Sequence, residues 1–341
     1  MIKMLNSYPL DNHSSVLKAV DEFVFLNNNI GMLPNHFVSV LNELIPAFKA
    51  YEQGDVVYST YVRAFRSLVE YIDNSRKTWE YETYFKRLGK SEIYRLSNQL
   101  KCCQSDFAKE LKRYKENKQS NSESFAKYVK TIIYDYSCVL IVRVDLGYRE
   151  EYLPEVTFDQ FSSDVERLRS YLKDRQGDVQ HLLGYGMALE QGQSRGFHIH
   201  LYLIYNAARV QQDGYFAMGM IKRWKEITAE MGTGYNGNNK EKKKEFQVKG
   251  LLGVGKIHRN CQHEVDNALK VASYLNRADK WYQRLLIRFP KMQTFSKGEY
   301  TPHGRNYQTR YKDQLKGATS SLAPVGIMTR LDVDTLDELE S

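Results

Sequence analysis

The sequence predicts an α+β fold: a mainly antiparallel sheet with helices on one face, preceded by an all-helical amino-terminal region. Three observations carry this. Over the first third, apolar residues recur at three- and four-residue spacing, as on one face of a helix. After a polar run the texture changes to β-branched and alternating segments, two of them joined by a short turn-forming stretch. Strand-like and helix-like segments then alternate as β–α–β–β–α–β–α over about 170 residues, an order that suits a sheet with covering helices. The implied organisation is a helical region over 1–118, a linker over 119–127, a sheet-bearing domain over 128–300 and a weakly ordered tail over 301–341.

Taken in order, residues 14–26, 34–51 and 58–72 read as helices, with Ser or Pro near their starts. Residues 86–118 are basic and helix-compatible, and either a phosphate-contacting face or a solvated helix surface accounts for them. The polar run 116–124 (ENKQSNSES) has linker composition. Residues 136–145 (YSCVLIVRVD) read as a strand, 158–173 as a helix and 182–190 (LLGYGMALE) as a second strand. The turn 191–196 (QGQSRG) leads into a third strand over 197–205. Residues 215–231 read as a helix, 232–244 as a flexible basic loop and 246–257 as a strand. Residues 264–287 form the longest amphipathic helix pattern of this half. The last forty residues begin basic and end acidic (LDVDTLDELES), as a weakly ordered tail does.

Composition narrows the partner but does not name it. A net charge of +8 with 25 tyrosines suits a polyanion, through phosphate pairing and stacking on bases. No stretch approaches the roughly 18 apolar residues of a membrane span, and no signal peptide opens the chain. The four cysteines, Cys102, Cys103, Cys138 and Cys261, form no CxxC pair, which points to a reducing cytoplasm.

Chemistry concentrates at Gly196–Asn206 (GFHIHLYLIYN). On a strand, His198 and His200 point to the same face and can meet on one divalent cation while Ile199 is buried behind them. A third ligand is needed, and Glu190, at the end of the preceding strand, is the natural candidate. This sets a register condition. Opposed residues of an antiparallel hairpin sum to a constant, and Glu190 shares the histidines' face only if that sum is even, as when it lies opposite His198. For phosphodiester transfer the candidate nucleophile is Tyr274, in the middle of the long helix, with Arg277 three residues on and Lys280 a turn further. By spacing alone Tyr274 also fits a buried stripe with Val271, Ala278 and Trp281, and Tyr282 is a second candidate on nearly the same face. Asp145, at a strand end, could approach a metal or cap a turn. Gly250–Lys256 matches phosphate-loop spacing, but Ile257 replaces the metal-holding Ser/Thr. His258, Cys261 and His263 lack the partner pair of a zinc site.

These segments together resemble the HUH rolling-circle replication initiators. More closely, VLIVRVDLGY (139–148), EQGQSRGFHIHLYLIYN (190–206), VGKIH (254–258) and VASYLNRADKWY (271–282) resemble the inovirus-type replication protein family, also known as the YagK/YfjJ C-terminal-domain family. The likeness covers roughly residues 128–300, which it casts as an HUH-like nicking domain. It implies that His198, His200 and Glu190 bind Mg²⁺ or Mn²⁺ and that Tyr274 attacks DNA to leave a 5′-phosphotyrosine. It further implies a site-specific endonuclease and strand transferase of a phage or prophage, acting on single-stranded DNA at a replication origin with a host helicase or polymerase. A non-catalytic DNA-binding regulator on the same domain is the alternative. The family's Tyr-x-x-Lys is Tyr-Leu-Asn-Arg in this chain; arginine keeps the charge but cannot donate a proton, so Arg277 is assigned phosphate stabilisation, with Lys280 a substitute for any acid–base role.

Overall fold

The computed structural model describes residues 10–303. The chain opens with α1 (His13–Asn29), α2 (Pro34–Tyr51), a two-residue β1 (Val57–Tyr58), α3 (Thr60–Arg76), α4 (Tyr81–Arg87) and α5 (Lys90–Lys101). Local chemistry sets the starts. Asn12 accepts the Ser15 N–H at 2.9 Å to cap α1, and Pro34 occupies the first turn of α2, where no N–H is needed. The helix α6 (Gln104–Asp135) then runs without interruption. The linker expected over 119–127 is therefore the interior of a helix. Its polar residues are the solvent face; Phe125, Val129, Ile132 and Ile133 on the opposite face are buried.

The sheet-bearing half contains β2 (Cys138–Tyr148), α7 (Phe158–Asp174), β3 (Leu182–Gln191), β4 (Phe197–Asn206), α8 (Asp213–Ile227), β5 (Gly232–Asn236), α9 (Lys240–Val248), β6 (Gly255–His258), α10 (Gln262–Tyr274), β7 (Ile287–Arg288) and β8 (Phe295–Lys297). All pairings are antiparallel, in the order β5-β2-β4-β3-β8, with β6 beside the other end of β2. The fold class is the expected one, an antiparallel sheet with helices after a helical region. Local readings change in three places. The loop expected over 232–244 holds β5 and the start of α9, and the strand expected over 246–257 is reduced to β6. The helix expected to reach residue 287 stops at Tyr274. The tail expected over 301–341 lies, beyond residue 303, outside the described residues.

Alternation along β2 sends Leu140, Val142, Val144 and Leu146 into a core with α7 and α8, and Val139 and Ile141 into a second core with α6 and α10. Helices thus cover both faces instead of one, because both faces of β2 and β4 are apolar. The first core continues into α1, α2, α3 and α5, and β1 pairs with β7, so the helical region and the sheet are packed as one body. Gly184 and Gly186 let α6 lie directly on β3. A Cβ at either would sit 2.3 Å from Tyr128 or Phe125.

His13 joins α1 to α7. It is 1% exposed, its Nδ1 accepts the Phe158 N–H at 3.1 Å, and its ring stacks on Tyr51. Burial pushes its pKa down from 6.5 to about 4. The unfolded chain therefore takes up this proton first, and stability falls as pH drops from 6.5 toward 4, by about 3 kcal/mol in total. His13→Asn keeps an acceptor but does not titrate, and should flatten that loss when denaturant unfolding is compared at about pH 7 and about pH 4. An equal loss in both proteins would rule out His13 as its source.

Candidate metal centre

The hairpin of β3 and β4 places Glu190 directly opposite His198. The even-sum register condition is met, and Glu190, His198 and His200 share the α6/α10 face. The connecting turn closes through the Gly192 N–H donating to the Gly196 carbonyl at 2.9 Å, with Gly196 at φ +66°, which a side chain would resist. On the other side of β4, Asp145 lies directly opposite His200.

The ring nitrogens are assigned by their partners. His198 Nδ1 lies 3.1 Å from the Gly196 carbonyl, which can only accept, so Nδ1 carries hydrogen and Nε2 faces Glu190 Oε2 at 3.8 Å. His200 Nδ1 lies 2.7 Å from Asp145 Oδ1 and its Nε2 3.2 Å from Glu190 Oε2. One ligand atom from each of Glu190, His198 and His200 falls within 4.8 Å of the others. Two imidazole nitrogens and a carboxylate, all buried, form a donor set suited to a divalent cation. Burial opposes charge on His200, yet Asp145 and Glu190 outweigh it and push its pKa up to about 9. The His200 imidazolium, with Arg143 beside Asp145 and Lys118 beside Glu190, thus offsets the two carboxylates without a metal, and a bound cation would displace its Nε2 proton. Burial also works to raise Glu190, but His200, His198 and Lys118 hold its carboxyl well below the usual range.

Asp145 lies inside β2, which runs on to Tyr148, and not at the expected strand end, and it caps no turn. It fixes the His200 tautomer while Arg143 Nη2 holds its other oxygen at 3.2 Å. Arg143 and His200 keep its carboxyl below the usual range despite burial. Carboxylates behind ligating histidines orient them, and their loss costs roughly 10- to 100-fold in metal affinity. Asp145→Asn should therefore weaken Mn²⁺ binding by about that factor in an EPR titration; unchanged affinity would remove Asp145 from the site. The alternation Arg143-x-Asp145 on a strand that pairs with the histidine strand was the signal for both residues.

Tyr274 is the last residue of α10, not its middle. Arg277 therefore does not stack one turn above it; it pairs with Asp279, its guanidinium 5.1 Å from the Tyr274 ring centre. Lys280 folds back to donate to Tyr274 Oη at 2.6 Å. Arg143 lies over the same ring at 4.9 Å, so a continuous path runs from Tyr274 through Arg143 and Asp145 to His200. Tyr282, in a short 3-10 turn (Trp281–Gln283), is 52% exposed and does not share a helix face with Tyr274. Lys118 of α6 also reaches the site. Its Nζ is 4.0 Å from Glu190 Oε1, and Tyr114, one turn earlier, donates to the Lys280 carbonyl at 3.3 Å. The other lysines and arginines of the basic run over 86–118 are exposed, as either a phosphate-contacting face or a solvated helix surface requires.

Among the described residues, Glu190, His198 and His200 are the group of such side chains within ligating reach of one another. His258 instead pairs with Glu264, and the Gly250–Lys256 stretch leads into β6 without opening a helix. All four cysteines are free. No helix among the described residues is long and apolar enough to cross a membrane. Comparison with protein-family models, curated proteins and solved structures finds no match to this chain.

Proposed function

We propose that this protein is a metal-dependent, site-specific single-strand DNA endonuclease and strand transferase of the HUH type. It would initiate rolling-circle replication of a phage or prophage in the cytoplasm. The observation that carries the reading is one buried face where a Glu190–His198–His200 donor set and a lysine-bound tyrosine are joined through Arg143 and Asp145. Mg²⁺ or Mn²⁺ held by the three ligands would supply Lewis-acid polarisation of the scissile phosphate. Tyr274 Oη forms the bond to phosphorus and the P–O3′ bond breaks. The phenolic proton is released and the departing 3′ oxygen takes one up, so the exchange is neutral in protons and the ester is kept as a 5′-phosphotyrosine. The Lys280 ammonium donates to the tyrosine oxygen and so favours its phenolate form. It fills the role that the resemblance reserves for the lysine of Tyr-x-x-Lys, from six residues away. Arg143 and Arg277 add positive charge beside the ring.

The reading is tested with labelled origin-containing single-stranded DNA, with Mn²⁺ or with EDTA. A covalent protein–DNA band that needs metal, with a free 3′-hydroxyl that a polymerase extends, is the expected result. DNA binding with no adduct under any metal would replace the enzyme by a non-catalytic regulator.

A further inference from the structure

We infer that Lys118, contributed by α6 from outside the segment resembling a nicking domain, binds the phosphate on which the metal centre acts. The inference rests on the proposed metal site but not on the strand-transfer chemistry. Lys118 is 5% exposed in the middle of a polar helix, and lysine is rarely buried so fully unless it is paired. Its ammonium has three donors and no hydrogen-bond acceptor among the described residues. The contacts it has are a carboxylate oxygen of Glu190 at 4.0 Å and the face of Tyr114 at 5.6 Å. A largely buried ammonium held only by one long ion pair leaves its N–H donors room for a closer acceptor.

Metal loading sharpens that demand. Glu190 would then be engaged by the cation and would offset less of the charge on Lys118, which Lys280 already opposes. Glu190 faces Lys118, Asp145 faces Arg143, and Lys280 donates to Tyr274, so a cation added to the three ligands would leave the site with surplus positive charge. A phosphate oxyanion accepting from the Lys118 ammonium would offset that charge. A buried orphan lies near the nucleophile: neither the amide oxygen nor the amide nitrogen of Asn276, two residues after Tyr274, has a partner among the described residues. Lys118, with Tyr114 one turn earlier, ties the helical region to the chemistry of the sheet.

The test uses full-length protein, Lys118→Met and Lys118→Arg, each loaded with Mn²⁺. The probes are inorganic phosphate, followed by ³¹P relaxation from the bound Mn²⁺, and origin DNA, followed by adduct formation. Lys118→Met should bind Mn²⁺ at least as tightly as the parent, since a neighbouring positive charge is gone. Its phosphate affinity should fall about 10- to 100-fold, the range for a lost charged hydrogen bond, with Lys118→Arg recovering part of it. Adduct formation should fall in parallel. Unchanged phosphate affinity in folded Lys118→Met overturns the inference, as does a loss of phosphate binding fully explained by lost Mn²⁺. If Lys118→Met does not fold, Lys118→Gln carries the same comparison. A Lys118-dependent phosphate site in a protein that forms no adduct would sustain the inference while refuting strand transfer. Weakened free phosphate with unchanged DNA reaction would restrict Lys118 to free phosphate and overturn its role with the strand.

Discussion

Tyr274→Phe is expected to abolish covalent capture of DNA while leaving DNA and metal binding near the parent level. Removing a nucleophile leaves no second group to form the ester, so the rate should fall on the order of 10⁴-fold or more, as in other enzymes that lose theirs. The substitution deletes one oxygen and keeps the ring that Arg143 and Arg277 flank, so packing should survive. Tyr282→Phe is the internal control. Its side chain is half exposed, and its loss should leave the rate close to the parent's. Quench-flow or gel assays at saturating Mn²⁺ read both. A Tyr274→Phe protein that still forms adducts, or a Tyr282→Phe protein that does not, would move the chemistry to Tyr282.

The second large effect is on the cation. His198→Ala should remove a ligand without disturbing the others, because its second ring nitrogen engages only the Gly196 carbonyl. Mn²⁺ affinity should drop by more than the roughly 100-fold at the upper end for an outer partner, and adduct formation should drop with it. His200→Ala should be worse. It also leaves the Asp145 and Glu190 carboxylates without the imidazole between them, so it should destabilise the metal-free protein as well. DNA affinity should persist in both variants with the parent's steep salt dependence, since phosphate contacts through exposed lysines and arginines do not need the metal. Calorimetric Mn²⁺ titration beside a thermal melt separates these effects, and parent-like Mn²⁺ affinity in His198→Ala would remove it from the ligand set.

The part of this site that was legible before the fold was known is the part set by short-range geometry. Strand alternation put His198 and His200 on one face and set an even-sum register condition on Glu190, which the hairpin meets with Glu190 opposite His198. Residues brought in by distant segments were not legible in the same way. Asp145 and Arg143 join only because β2 pairs with β4, and Lys118 arrives because α6 continues through a stretch whose composition alone reads as a linker. The end of α10 was hidden for a related reason. No Gly or Pro stands between Tyr274 and residue 287, and the apolar spacing continues to that residue, yet the backbone turns after Leu275 and brings Lys280 back to the tyrosine oxygen. That turn sets Lys280, and not Arg277, against the tyrosine oxygen. The helical region shows the same limit: its periodicity located α1 and α2 closely, but not the core it shares with the sheet.

The most direct test of the central claim is where the DNA attaches. After reaction with origin single-stranded DNA and Mn²⁺, nuclease trimming and proteolysis, mass spectrometry should find a nucleotide esterified to the peptide containing Tyr274, through its phenolic oxygen, and none in the EDTA control. A nucleotide on Tyr282 or any other residue, or no modified peptide while the DNA is nicked to free 5′-phosphate ends, would contradict the account.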